Sequence, residues 1–283
     1  MGLARHGSGL LADIRALASQ VHPVFMLPPI AASWFGAVLG GLASPTLGAV
    51  HSIAIFAAVY TAHVKDGYVD FHVRDEDDDH PLTAIGCRVA LAGATALFAA
   101  ALAVLWVAVD PIAALLTLPG WVIGYHHAPQ LDTNPVTATG GYPTGIALAI
   151  VGGAYVQTVT VGVVTVAFAL VFLLVLSGVK VVDDAQDYDY DRSIDKRTVA
   201  VVVGPRAARR VAYSLMALGL TVVVALAAVA VFPPTAVLAV AAFAAVAAVT
   251  RRADPELATM LLVRGSYVFL ALLVAATWFE PLA

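Results

Sequence analysis

Long uncharged stretches, each near the length a helix needs to cross a bilayer, alternate along this chain with short segments that hold most of its charge. Hydrophobic residues make up 61% of the 283 residues and charged residues only 12%, with a mean hydropathy of +0.90. A soluble chain of this size cannot hide so much apolar surface, so the expected fold is all-α, a polytopic membrane bundle. The net charge of −4 provides no basic face, which argues against nucleic acid as a partner. The single Cys87 offers neither a disulfide nor a cysteine-based metal site. No cleavable signal peptide is expected, because Arg5, Asp13 and Arg15 break the apolar pattern of the first twenty residues.

The pattern predicts nine transmembrane helices, at roughly 23–42, 46–64, 84–109, 111–125, 143–159, 161–182, 207–231, 234–250 and 258–279. The fourth is short for a hydrocarbon layer of about 30 Å, and Pro119-Gly120 interrupts it. With nine spans, all fifteen Lys and Arg residues fall on one side of the membrane. By the positive-inside rule that side is cytoplasmic, with the N-terminus in and the C-terminus out. The chain therefore reads as a single integral-membrane domain over 1–283. Residues 1–22 form a cytoplasmic N-terminal segment, and 65–83 and 183–206 form cytoplasmic Asp-rich loops.

Those two loops carry the chemistry. Asp66 and Asp70 stand four apart, on one face of a helix end, and a solvated acidic run, Asp75 to Asp79, follows. In the second loop Asp184, Asp187 and Asp191 fall within about 60° of one another on a helical wheel, with Lys180 in the same arc and Asp189 on the far side. Four spans separate the loops, so both emerge on one face and can converge on one ligand. Carboxylates at this density repel one another unless a cation neutralises them. Mg²⁺ takes one or two carboxylates plus phosphate oxygens and water, so the pair suggests divalent metal holding a polyphosphate. Lys180, Lys196 and Arg197 are placed to meet the remaining phosphate oxygens.

In these features the chain resembles the UbiA superfamily of intramembrane prenyltransferases. The best local match is Asp184-Ala-Gln-Asp187-Tyr-Asp-Tyr-Asp191, followed by Asp195-Lys196-Arg197-Thr198. Tyr125-His126-His127-Ala128-Pro129-Gln130-Leu131 is similar to a tyrosine-led loop after the fourth span that helps cover the diphosphate. The first motif departs from the pattern. Lys65 replaces an expected Asn, Asp70 comes one place late, and a third acid must come from Asp75 or Glu76 or be absent. His22-Pro23 and His80-Pro81-Leu82 stand where Arg-Pro and Arg-Pro-Leu are usual. The resemblance implies Mg²⁺ held by Asp66, Asp70, Asp184, Asp187 and Asp191, with Asp66, Asp70, Asp187 and Asp191 as the catalytic acids. Lys65, Tyr125, His126, Lys180, Lys196 and Arg197 would bind the prenyl diphosphate donor. The implied reaction moves an isoprenoid chain to a lipophilic acceptor in a multi-pass protein of the cell membrane. Aromatic rings such as Tyr60, Tyr68 and Tyr125 would face the developing carbocation or anchor at the interface.

Two other readings compete. A cation-binding or transport protein would place ionisable groups near the bilayer midplane, where this chain has almost none. An alcohol phosphotransferase would follow Asp66-Gly67 with Ala-Arg, which is absent. The eight histidines read as satisfied polar contacts, and Gly36, Gly40, Gly41, Gly152 and Gly153 as close helix-packing positions.

Overall fold

Each of the nine apolar stretches lies on a helix in the computed structural model, which describes residues 2–279. Met1 and residues 280–283, within the predicted domain, fall outside that range. The long helices are α2 (Pro23–Leu39), α3 (Pro45–His72), α4 (Ala84–Ala108), α5 (Pro111–His126), α6 (Pro135–Thr158), α7 (Val163–Gln186), α10 (Pro205–Ala228), α11 (Val237–Thr250) and α12 (Pro255–Phe279). Shorter ones are α1 (Leu10–Ala18), α8 (Tyr188–Ser193) and α9 (Val199–Val203). No strand occurs among the described residues, only an isolated bridge between Ala4 and Leu82. By length and composition, α3, α4, α7, α10 and α12 are able to cross a membrane. A sixth span is obtained if α1 and α2, bent by 67°, count as one. α11 and its preceding turn form a shorter apolar helix.

The structure differs from the sequence expectation at several boundaries. α5 runs unbroken through Pro119-Gly120, and α6 begins well before residue 143, with Pro143 inside it. The predicted loops are partly helical. α3 continues to His72, so Lys65, Asp66 and Asp70 sit on its last turns, and α7 reaches Gln186. Backbone hydrogen bonding does not stop where side chains become polar, so hydropathy marks the membrane edge rather than the helix end.

The chain divides into two compact units, Met1–Leu131 with Gly145–Val161, and Asp132–Thr144 with Gly162–Ala283. In the first, α3 packs against α2, α4 and α5. Glycines let backbones touch. A Cβ on Gly36 of α2 would enter the Ile150 carbonyl of α6, one on Gly153 the Ser33 carbonyl, and one on Gly124 the Ala58 carbonyl. Such contacts suit a lipid environment, where close van der Waals packing replaces the hydrophobic drive. Inside this unit Ser33 Oγ bonds His51 Nδ1 at 2.7 Å and Ser52 Oγ at 3.0 Å. Asp110 caps α5 through Ala113 N at 2.8 Å and accepts the Tyr155 hydroxyl at 2.7 Å. The Gln157 side chain accepts from Ser44 N (2.7 Å) and donates to Ser44 O (3.1 Å), closing the α2–α3 turn. The N-terminal segment is ordered, with Thr83 N bonded to Leu3 O and Arg5 N to Pro81 O, while Asp13 accepts from the Leu3 and Ala4 amides.

In the second unit α7 pairs with α10 and α12, and α11 with α12. Phe168 meets Phe232, and Phe269 meets both Phe172 and Phe243. Gly178 admits Met216 and the Ala212 carbonyl. Arg209 donates to the Thr250 and Arg251 carbonyls at the end of α11, a use of basic charge that complements a helix C-terminus.

Gly36→Ala and Gly153→Ala, where a methyl meets backbone, are each expected to lower stability by about 1–3 kcal/mol. Gly93→Ala on α4, where a Cβ meets open space, is expected to be neutral or stabilising. Thermal unfolding of the three variants in detergent separates the cases.

Candidate prenyl diphosphate site

The first acidic cluster sits on the last turns of α3. Asp66 and Asp70 are both partly exposed and lie one helical turn apart. Arg74 joins Asp70 (3.4 Å) to Glu76 (3.6 Å), and Glu76 N donates to Asp70 O at 2.8 Å. Of the two candidates for a third acid, the geometry therefore brings Glu76 to Asp70. Asp75 is exposed and adopts a φ of 58°. Arg74, between these carboxylates, escaped the sequence reading.

Tyr125, in the last turn of α5, stacks on Trp121, and the Lys65 ammonium stands 5.3 Å from its ring centroid. Lys65 thus joins the tyrosine-led segment to the acidic helix through a cation–π contact. His127, not the exposed His126, lies nearest the acids, with Nε2 4.0 Å from Asp66 Oδ1. Adjacent residues point apart, and no sequence signal chose between the two.

The second cluster is broken where a single helix was expected. α7 ends at Gln186, Asp187 is the junction, and α8 begins at Tyr188. Acids at a helix C-terminus are unfavourable, whereas Asp189 and Asp191 in the first turn of α8 meet the positive end of its dipole. The break keeps Asp191 N bonded to Asp187 O at 2.8 Å.

Each acid then has a distinct environment. Asp184 is buried and fully engaged: Oδ1 meets Lys180 Nζ at 2.7 Å and Oδ2 accepts from the Thr139 hydroxyl at 2.9 Å. Lys180 also binds Asp183 at 2.8 Å, so it is committed to carboxylates. Asp191 is buried too. Its Oδ1 is 3.4 Å from Lys196 Nζ, but its Oδ2 has no partner. Burial pushes its carboxyl above the usual carboxylate range, and Lys196 opposes the shift. Asp187 is raised as well, by desolvation and then by the Asp183 charge. Burial works against the Lys196 ammonium, yet Asp191 holds it above the ordinary lysine value. Arg197 donates its backbone amide to Asp132 O at 2.7 Å, and its residue is exposed.

These groups fit a hard divalent cation. A buried carboxylate oxygen without a partner is costly, and burial raises both Asp187 and Asp191 above the usual carboxylate range. Oxygen donors of this kind are what Mg²⁺ takes. Asp191 and Asp187 are available to it, whereas Asp184 must first give up Lys180 or Thr139.

Lys180→Met is expected to cost about 3 kcal/mol, the low end for leaving a buried charge unpaired. Adding Asp184→Asn, which keeps a partner for Thr139, should restore most of it. Thermal melts of the single and double variants in detergent provide the check.

The chain from residue 25 to residue 273 matches the profile of the UbiA prenyltransferase family. No curated protein matches it. Its fold is similar to that of a UbiA homologue from Aeropyrum pernix K1, at 14% identity and TM-score 0.68, over 92% of this chain and 98% of the other. A digeranylgeranylglyceryl phosphate synthase is similar at 15% identity and TM-score 0.69, over 94% and 99%. A UbiA homologue from Archaeoglobus fulgidus bound to DMAPP and Mg²⁺ is similar at 18% identity and TM-score 0.66, over 94% and 98%. Matched by the family profile over most of its length, and by these structures over its fold, the chain belongs to the UbiA prenyltransferase family.

Proposed function

We propose that the chain is a prenyltransferase that moves an isoprenoid chain from a prenyl diphosphate to a lipophilic acceptor, with Mg²⁺ as cofactor, at the cytoplasmic face of the cell membrane. The domain expected over 1–283 carries the whole reaction. The reading rests on the family and on the A. fulgidus relative, whose structure holds DMAPP and Mg²⁺. The observation in this chain that carries it is the buried, partnerless Asp191 Oδ2, on an acid that is held, like Asp187, above its usual range.

Asp66 and Asp70, with Glu76 alongside, and Asp187 with Asp191 are the residues that would hold the metal. When bound, Mg²⁺ neutralises charge gathering on the departing diphosphate and so lowers the barrier to a carbocation-like transition state. Lys196, 3.4 Å from Asp191 Oδ1, favours the charged form of that acid, and Arg197, whose residue is exposed, is free to meet phosphate oxygens. Lys65 and Tyr125 close over the donor from the α5 side. The C1–O bond of the donor breaks with its electron pair going to the diphosphate. The acceptor nucleophile then bonds to C1 and loses its proton. Apolar helix surface shields the cation from water until that bond forms.

The same charge asymmetry that predicts nine spans supports a cytoplasmic site. A transporter needs charge at mid-membrane. Mid-helix polar groups in the first unit are instead the uncharged, mutually bonded Ser33, His51 and Ser52.

Asp70→Asn and Asp187→Asn should each reduce diphosphate release from a prenyl diphosphate by at least about a hundredfold while membrane insertion is unchanged. Chelation should stop wild-type release and added Mg²⁺ should restore it. Incubation of purified protein with Mg²⁺, donors of several lengths and a membrane lipid extract, read by mass spectrometry, identifies donor and acceptor. Undiminished turnover in both variants would refute the mechanism.

A further inference from the structure

Between α3 and α4 lies a group of side chains that prenyl transfer does not use. His72 in the last turn of α3, His80 in the connecting loop and Cys87 in the first turn of α4 each present one ligand atom. These three atoms lie within 4.8 Å of one another. His80 Nδ1 is 3.9 Å from Cys87 Sγ. The Leu82 carbonyl oxygen stands 3.1 Å from His72 Nε2 and 3.1 Å from His80 Nδ1. His80 and Cys87 are buried, and His72 is half-buried.

We propose that His72, His80 and Cys87 form a binding site for a borderline divalent metal of the Zn²⁺ class, with the Leu82 carbonyl oxygen or a water as fourth ligand. Nitrogen and thiolate donors favour such an ion over Mg²⁺. Metal–ligand bonds of about 2.0–2.3 Å give tetrahedral edges of about 3.3–3.8 Å. The His80–Cys87 edge and both carbonyl edges are already close to that range, and the widest separation must contract by about 1 Å. A lone cysteine carried no metal signal in the sequence; the fold supplies the two imidazoles.

Two further observations point the same way. The Leu82 amide also lies 3.2 Å from His80 Nδ1, so one nitrogen faces a backbone donor and a backbone acceptor together. A neutral imidazole satisfies only one of them. His80 Nε2 is buried without a partner and turned towards α3, where a Cβ on Gly67 would come within 2.6 Å. The glycine makes room for the ring and leaves Nδ1 as the nitrogen facing Cys87.

The site would fasten the end of α3 to the start of α4 around the acidic run Asp75 to Asp79. Against that run's self-repulsion the structure sets Arg5 and His6 on Asp79, at 3.0 and 2.9 Å, and Arg74 on Glu76. The proposal is independent of the prenyl-transfer reading.

The test uses full-length protein purified without a polyhistidine tag, stripped with chelator and titrated with Co²⁺. One thiolate-bound equivalent should appear, with a thiolate-to-cobalt charge-transfer band and visible absorption of tetrahedral strength that Zn²⁺ displaces and Mg²⁺ does not; Co²⁺ taken by the acidic clusters adds no such band. Cys87→Ser should lose the band and bind Co²⁺ at least about tenfold more weakly. Zn²⁺ should raise the unfolding midpoint of the wild type but not of that variant. If Cys87→Ser does not fold, the half-buried His72→Asn serves in its place, and should keep a weakened band with similarly reduced affinity. A wild-type protein with no charge-transfer band at saturating Co²⁺, or a band that survives in Cys87→Ser, overturns the assignment.

Discussion

Negative charge at the ends of apolar helices is the constraint to which the charged residues of this chain respond. Several carboxylates there meet a cation from their own unit. Lys180 holds Asp183 and Asp184, Lys196 holds Asp191, Arg74 holds Asp70 and Glu76, and Arg5 holds Asp79. Near a membrane such pairs offset a desolvation cost of several kcal/mol per ion. The compensation stops short at Asp191, where one oxygen is left over.

Beneath that charged layer, small residues determine how close the helices come. Gly36, Gly153 and Gly124 bring backbones into contact in the first unit, and Gly178 does so in the second. Their function is positional. Gly124 lies one residue before Tyr125, so the approach of α5 to α3 that it permits also brings the tyrosine ring to Lys65. Packing in the apolar interior thereby fixes geometry among the polar groups above it.

The all-helical class and the order of the long helices were legible from hydropathy, because apolar stretches of membrane length have few other solutions. The acids themselves stood out as well, since charge in such a chain is rare and conspicuous, but Arg74 as the partner of Asp70 and Glu76 did not. What was not legible is instructive. Hydropathy located the edge of the apolar run near residue 64 but not the end of α3 at His72, because helix continuation depends on backbone bonds. A helical wheel drawn through Asp184, Asp187 and Asp191 could not show the break at Asp187, which arises from the opposed dipole preferences of α7 and α8. The choices of His127 over His126 and Glu76 over Asp75 depend on contacts with side chains distant or offset in sequence. Thr139 as the second anchor of Asp184, 45 residues away, left no local trace at all.

The amide clasp of Gln157 on Ser44 has a consequence for how the chain is made. Ser44 presents both a backbone donor and a backbone acceptor at the turn joining α2 to α3, and both are answered by a side chain 113 residues later. While α2 and α3 are the newest segments off the ribosome, that turn keeps the Ser44 amide open, whereas the Ser44 carbonyl already receives Gly48 N of α3. It closes only when α6 arrives, so the opening hairpin of the molecule waits, incompletely sealed, for a helix from the middle of the chain.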